Sequence, residues 1–251
     1  MIQVRQLAKS FDGVPVLQGV DLDVPEGEVT CIIGRSGSGK SVLMRHLIGL
    51  LTPDRGRVVI DGAPLAELTY AELRQVRRKF GVLFQGGALF DSMTARQNVE
   101  FPLRTFTDLS RDQVRQRADE CLALVELPDS GTKKPAELSG GQQKRVALAR
   151  AIAIEPKYIL YDEPTSGLDP ETSNTIDELI HRLSTTMGTT SVVVTHDMHS
   201  VLSIADRIAF VHEGTIPWTG TVDELHRATD PTLLAFVRAN EYKIGTPSQT
   251  A

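Results

Sequence analysis

The chain has 251 residues, 41% of them hydrophobic and 24% charged, which is ordinary for a soluble globular protein long enough to bury a sizeable core. A formal net charge of -5 gives no general basic field, so recognition of nucleic acid by long-range attraction is disfavoured. No run reaches the roughly 18 apolar residues of a membrane span, and the opening MIQVRQLAKSF lacks the apolar core of a signal peptide, so a cytoplasmic protein is expected. Cys31 in VTCIIG and Cys121 in ADECLALV have neither metal spacing nor a nucleophile context and read as reduced core residues.

Residues 2–24 alternate like paired strands around Asp12-Gly13, and Glu28 to Ile33 is an apolar strand entering a glycine loop. A helix follows, with Leu43, Leu47 and Leu50 at helical spacing, and Pro53-Asp54-Arg55-Gly56 closes it as a turn. Strand Val58–Ile60 meets an Asp61-Gly62 turn. Thr69 and Glu72 form a capping box for a charged helix through Arg78, and Phe80 to Phe84 reads as a strand ending at Gln85.

From Thr94 the pattern becomes helical. Thr94 and Gln97 form a second capping box, and Ser110 opens a helix whose Val114, Ala118, Leu122 and Val125 share one face. Continuously apolar strands return at Tyr158–Tyr161 and Ser191–Val194, separated by a helix from Glu171 to Met187, the pattern of a parallel sheet buried on both faces. A hairpin turns at Glu213-Gly214, Thr221 to Glu224 caps a short helix, and another helix after Pro231 leads to a polar tail. The order predicts an α/β fold whose core is interrupted by an inserted helical part.

Gly34-Arg35-Ser36-Gly37-Ser38-Gly39-Lys40-Ser41 fits the phosphate-loop pattern and lies between a strand and a helix, as that loop requires. Its glycines let backbone N–H groups curl around phosphate oxygens, Lys40 adds a point charge, and the Ser41 hydroxyl can ligate Mg²⁺. Tyr158 to Glu163 reads as a buried strand delivering two adjacent carboxylates, Asp162 and Glu163, at its C-terminal end, where α/β sheets bind ligands. Asp162 can hold the Mg²⁺ shell while Glu163 orients or deprotonates an attacking water.

Leu138-Ser139-Gly140-Gly141-Gln142 followed by the helix QQKRVALARAIAIEP resembles the signature of ABC-type ATPases. The other landmarks fall in that family's order: Phe11, the phosphate loop, Gln85, the signature, Asp162-Glu163, Ser166-Gly167-Leu168-Asp169 and Thr195-His196-Asp197. The resemblance implies a P-loop NTPase (RecA-like) core with an antiparallel β subdomain and an α-helical subdomain inserted at about 88–155, in an ATPase domain over 1–240 with a tail over 241–251. It further implies ATP and Mg²⁺ as ligands. Phe11 offers a π-face for adenine, against the alternative of core packing, and Val16 walls the ribose side. Gln85 senses Mg²⁺ or the water; Ser139 and the N–H groups of Gly140 and Gly141, with Gln142, make an anion site at a helix start. His196 bonds the γ-phosphate. By the same resemblance the signature of one subunit caps the nucleotide of another in a homodimer with ATP at the interface, and Asp169 crosses that interface.

A separate membrane permease is then expected to dock near 86–103. There FQGGALFDSMTARQNVEFPL resembles the corresponding segment of Mla/MCE-type lipid-transport ATPases, with Ala95 where that group often has Val. The later THDMHSVLSIADRIA is also similar. This implies a peripheral subunit on the cytoplasmic face of the inner membrane, an MCE-domain lipid-binding partner and room for a small soluble regulator. An amino-acid or ion importer subunit and a cell-division signalling ATPase share every nucleotide motif. No nucleic-acid partner is expected, since neither a coiled-coil nor a zinc insertion interrupts the chain.

Overall fold

The computed structural model describes residues 1–240, which divide into two compact units, Met1–Glu67 with the segment from Val194 onward, and Leu68–Val193. The predicted tail over 241–251 lies outside the described residues.

The first unit opens with β1 (Ile2–Phe11) and β2 (Val14–Val24), an antiparallel hairpin whose turn places Asp12 and Gly13 at φ of 50° and 80°, the left-handed pair that matches the twist of two strands. Ile2, Val4 and Leu7 are all buried although simple alternation would expose Leu7, because the ladder slips between Val4 and Leu7 beside Gln6 at φ 48°. Fully buried β3 (Val29–Ile33) leads through the glycine loop to α1 (Lys40–Leu47). Leu50 does not extend that helix: Gly49 turns to φ 65° and Leu50 is 52% exposed. The expected turn at Pro53 is also shorter, since Arg55 already begins β4 (Arg55–Ile60), which pairs with β1 and with the short β5 (Ala63–Pro64). The result is the antiparallel sheet β2-β1-β4-β5.

The second unit begins with α2 (Tyr70–Arg77), capped as expected by Thr69 and Glu72, and β6 (Phe80–Leu83). Next come α3 (Ala95–Phe106), α4 (Arg111–Leu124) and α5 (Gly140–Ile152), each opened by a reciprocal capping box: Thr94 with Gln97, Ser110 with Gln113, and Ser139 with Gln142. Val114, Ala118, Leu122 and Val125 are buried along one face of α4, and α3 packs on both α4 and α5. Strand β7 (Tyr158–Asp162) pairs parallel with β6. Helix α6 (Pro170–Met187) then leads to β8 (Thr190–Thr195), whose first four residues close this unit. Both strands are buried throughout, as expected of strands covered on two faces.

The chain completes the first unit with α7 (Met198–Ile204), β9 (Arg207–His212), β10 (Thr215–Gly220), α8 (Val222–His226) and α9 (Pro231–Ala239). Strand β9 runs parallel to β3 and antiparallel to β10. Both cysteines are buried free thiols, and burial raises the Cys121 thiol to about 11, which removes it from nucleophilic chemistry.

The loop between β6 and α3 is held from within. Asn98, fully buried on α3, accepts the Phe90 N–H at 2.8 Å, and its amide nitrogen lies 3.2, 3.4 and 3.0 Å from the carbonyls of Phe90, Met93 and Thr94. Asn98→Ala orphans these backbone groups and is expected to destabilise the protein by about 1–3 kcal/mol, read as a lower urea midpoint, with faster amide exchange at Phe90.

Candidate functional site

The phosphate-loop residues Gly34 to Ser41 gather at the start of α1, with Val16 beside them. Gly34 is pressed onto β9, so that a Cβ there would lie 2.3 Å from the Val211 carbonyl oxygen and 2.8 Å from Ser38 Oγ. Gly39, at φ 104°, would place a Cβ 2.9 Å from Leu17 and 3.1 Å from the Val16 carbonyl oxygen. Neither position admits a side chain, which fixes the loop against β2 and β9 and sets Val16 beside it. Gly37, at φ 80° with open space around it, is needed for its conformation alone.

Ser36 is exposed at the tip and Ser41 half-buried in the first turn of α1. Lys40 is buried, and its ammonium donates to the carbonyls of Gly34 at 2.7 Å and Arg35 at 3.0 Å. Ser38 Oγ is buried without a hydrogen-bond partner among the described residues, a donor that a phosphate oxygen would satisfy. Phe11 is 41% exposed at the β1–β2 turn with Lys9 Nζ 5.6 Å from its ring centre, so the alternative of core packing fails and its face is accessible. His196 is exposed just past the end of β8, followed by Asp197, which accepts the His199 N–H to cap α7.

The second unit carries the remaining residues. Gln85 is exposed just beyond β6, in a turn closed by the Gly87 N–H and the Phe84 carbonyl at 2.8 Å. Ser139 caps α5 through the Gln142 N–H, while Gln142 Oε1 accepts the Ser139 N–H at 3.0 Å. The predicted anion site therefore uses Gln142 as a cap, and the amides of Gly140 and Gly141 are those a helix ladder leaves unused. Gly140 is open apart from Leu168, whereas a Cβ on Gly141 would strike Thr172 Cγ2 at 2.3 Å. Asp169 caps α6, accepting the Thr172 N–H at 2.9 Å and its hydroxyl at 2.6 Å, and the hydroxyl bond holds its carboxyl below the usual carboxylate range.

Asp162 is buried at the end of β7. Glu163 follows at φ 49°, a left-handed backbone that is costly for a non-glycine residue and more so before proline. Its carbonyl accepts the Ser166 N–H at 3.2 Å and the Lys144 ammonium at 3.0 Å. Lys144 was not among the predicted residues, although it lies on the buried stripe Gly141, Lys144, Leu148, Ala151 of α5, where a lysine is out of place. Arg150, also unpredicted, donates to the carbonyls of Ala88 at 2.7 Å and Gly87 at 2.8 Å. The described residues contain no cluster of three His, Cys, Asp or Glu able to hold a metal. Serine hydroxyl, glutamine amide and single carboxylate are hard oxygen donors suited to Mg²⁺ held jointly with phosphate oxygens rather than in a protein cage.

The ABC transporter family matches residues 17–166 of this chain. The chain is 39% identical to the probable ribonucleotide transport ATP-binding protein mkl of Mycobacterium leprae over 244 residues, 97% of this chain and 70% of that protein. It is 44% identical to the methionine import ATP-binding protein MetN of Caulobacter vibrioides over 245 residues, 96% of this chain and 73% of that protein. Among solved structures, the ATP-binding cassette MJ0796, a dimer in a post-hydrolysis state with ADP and Pi, aligns with TM-score 0.82 and 37% identity over 88% of this chain and 99% of its own. The protein cbiO1 of Clostridium perfringens, part of the transporter complex cbiONQ, aligns with TM-score 0.83 and 31% identity over 95% of this chain and 94% of its own. The ABC ATPase fold expected from the signature is thereby borne out.

The Gly141 contact gives a steric test. Gly141→Ala is expected to destabilise the chain by about 1–3 kcal/mol, seen as a lower melting temperature, whereas Gly140→Ala leaves melting near wild type. Adding Thr172→Ser removes the obstructing methyl, keeps the hydroxyl on Asp169, and should recover most of the loss.

Proposed function

Since the chain belongs to the ABC transporter family of ATP-binding subunits and hydrolyses ATP with Mg²⁺, we propose that it powers lipid transport through a separate membrane permease. Residues 1–240 are then the ATPase domain, with 88–155 as its helical insert. The observation that carries the permease reading is a groove of about 450 Å³ in the second unit. It is lined by Phe84, Phe90 and Phe101, exposed by 39%, 41% and 40%, together with Arg74, Arg77, Arg78 and Arg150. Three large aromatic side chains left in contact with water along one groove suit an apolar helix of a partner, and the arginines suit carboxylates beside it.

The segment from Phe84 to Leu103 divides physically into two sets. Ala95, Asn98, Val99 and Leu103 are buried and build the fold, whereas Phe84, Phe90 and Phe101 face the groove. The lipid reading rests on the resemblance of this segment to lipid-transport ATPases. Import of a small solute is the second reading, favoured by the 44% identity to a protein named for methionine import. No helix among the described residues is long and apolar enough to cross a membrane, in keeping with a subunit that reaches the membrane through its partner.

In the proposed chemistry the amides of the Gly34–Ser41 loop and the Lys40 ammonium hold the phosphates, and adenine stacks on Phe11 with Val16 beside the ribose. Ser41, Asp162 and Gln85 would hold Mg²⁺, which would offset the charge that develops on the phosphates. Glu163 orients and deprotonates water for in-line attack, and His196 bonds the γ-phosphate. A second copy supplies Ser139, Gly140 and Gly141 across a homodimer interface that Asp169 adjoins, and nucleotide binding closes that dimer.

Glu163→Gln is expected to bind ATP and dimerise while turnover falls by roughly two orders of magnitude or more, and Lys40→Ala to lose nucleotide affinity itself. Unimpaired turnover of Glu163→Gln in a phosphate-release assay counts against the role given to it. Purification of the tagged chain in mild detergent tests the transported class: an MCE-domain protein among the co-purified partners supports lipid traffic, and a solute-binding protein supports import. Phe90→Glu should retain ATP binding and lose permease assembly; normal assembly and transport would refute docking at the groove.

A further inference from the structure

We propose that Lys144 is a positioning residue for hydrolysis: its ammonium holds the Glu163 peptide so that the carboxylate faces the attacking water. This rests on the role proposed for Glu163. Lys144 is only 7% exposed, in the second turn of α5. Among the described residues its hydrogen bonding is a single contact, to the Glu163 carbonyl at 3.0 Å. Burying an ammonium costs several kcal/mol of hydration, which one carbonyl acceptor and the nearby Glu163 carboxylate offset only in part. An apolar side chain would fill the same stripe at no such cost, so packing does not account for a lysine here.

What the contact does account for is the backbone beside it. Glu163 sits at φ 49° between the last residue of β7 and Pro164, a conformation costing on the order of 1–3 kcal/mol. Its carbonyl is shared by the Ser166 N–H and Lys144, one donor from the turn and one from a separate helix. The turn alone would leave the peptide free to relax about φ. The helix ties it to α5, whose N-terminal Gly140 and Gly141 carry the predicted anion site. Burial lowers the Lys144 pKa, and the neighbouring Glu163 carboxylate opposes that shift by favouring the charged form.

The test compares Lys144→Met, similar in length and flexibility but without a donor, with Lys144→Arg, measured on the full chain assembled with its membrane partner. Lys144→Met should lower kcat roughly ten- to hundredfold while ATP affinity, KM and melting temperature stay near wild type, and Lys144→Arg should restore at least half of the lost rate. In the Glu163→Gln background, Lys144→Met should leave ATP-dependent dimerisation unchanged, which separates positioning from general damage. Wild-type kcat in Lys144→Met overturns the proposal, as does a parallel loss of ATP affinity and stability, or an equal defect in both variants. If Glu163→Gln itself hydrolyses ATP normally, the reading of Glu163 fails instead, whatever the Lys144 variants do.

Discussion

The site depends on glycine backbone coming so close to its neighbours, a carbonyl at Gly34 and side-chain carbons at Gly39 and Gly141, that no Cβ can intervene. Gly34 lies on the Val211 carbonyl, Gly39 on β2 and Gly141 on Thr172, and in each case an added methyl carbon would fall under 3 Å from its neighbour. Such contacts fix the path of a loop or a helix start without a side chain at the glycine itself. At a helix start the first N–H groups are those the helix ladder leaves unused, and an anion can take them. A phosphate site built this way has its geometry before the ligand arrives, which is the condition for electrostatic preorganisation.

Helix α5 adds a second kind of constraint, since it is the element to which separate pieces of the second unit are tied. Its first turn is closed by Ser139 and Gln142, and Gln143 reaches back to the carbonyls of Pro135 and Leu138 at 3.0 and 3.1 Å. Lys144 holds Glu163, and Arg150 holds Gly87 and Ala88. Both cations end on carbonyl oxygens of irregular backbone that no helix or sheet ladder satisfies. Burial pulls the pKa of both side chains below its ordinary value, which places the two ties in poorly solvated surroundings where hydrogen bonds are stronger than in water.

Much of this fold is legible from local chemistry. The capping boxes at Thr69, Thr94 and Thr221 were readable because each satisfies two donors at a helix start through residues three apart, and the structure contains them. Leu50 misled because helical spacing alone does not register Gly49, whose left-handed φ ends α1 before the pattern does. The phosphate loop and the carboxylate pair were legible because their chemistry is carried by contiguous residues. Lys144, Arg150 and Asn98 were not, because each reaches backbone remote in sequence, at its farthest 19, 63 and 8 positions away, which no contiguous pattern marks. The signal was present in the apolar stripe of α5, where a lysine interrupts an otherwise apolar face.

The contacts of the second unit also form an unbroken sequence from the groove to the Glu163 peptide. The Phe90 ring packs on Phe101 at 4.9 Å and lies 5.9 Å below the Arg150 guanidinium, which in turn holds the Gly87 and Ala88 carbonyls. Six residues earlier on the same helix, about 9 Å along its axis, Lys144 holds Glu163. A packed helix moves as a body rather than deforming between two such points. A partner seated against Phe90 therefore presses on an element that also carries the Glu163 peptide. Both ends of the series lie on left-handed non-glycine backbone, Ala88 at φ 47° and Glu163 at φ 49°, so each tie from α5 ends on a strained residue.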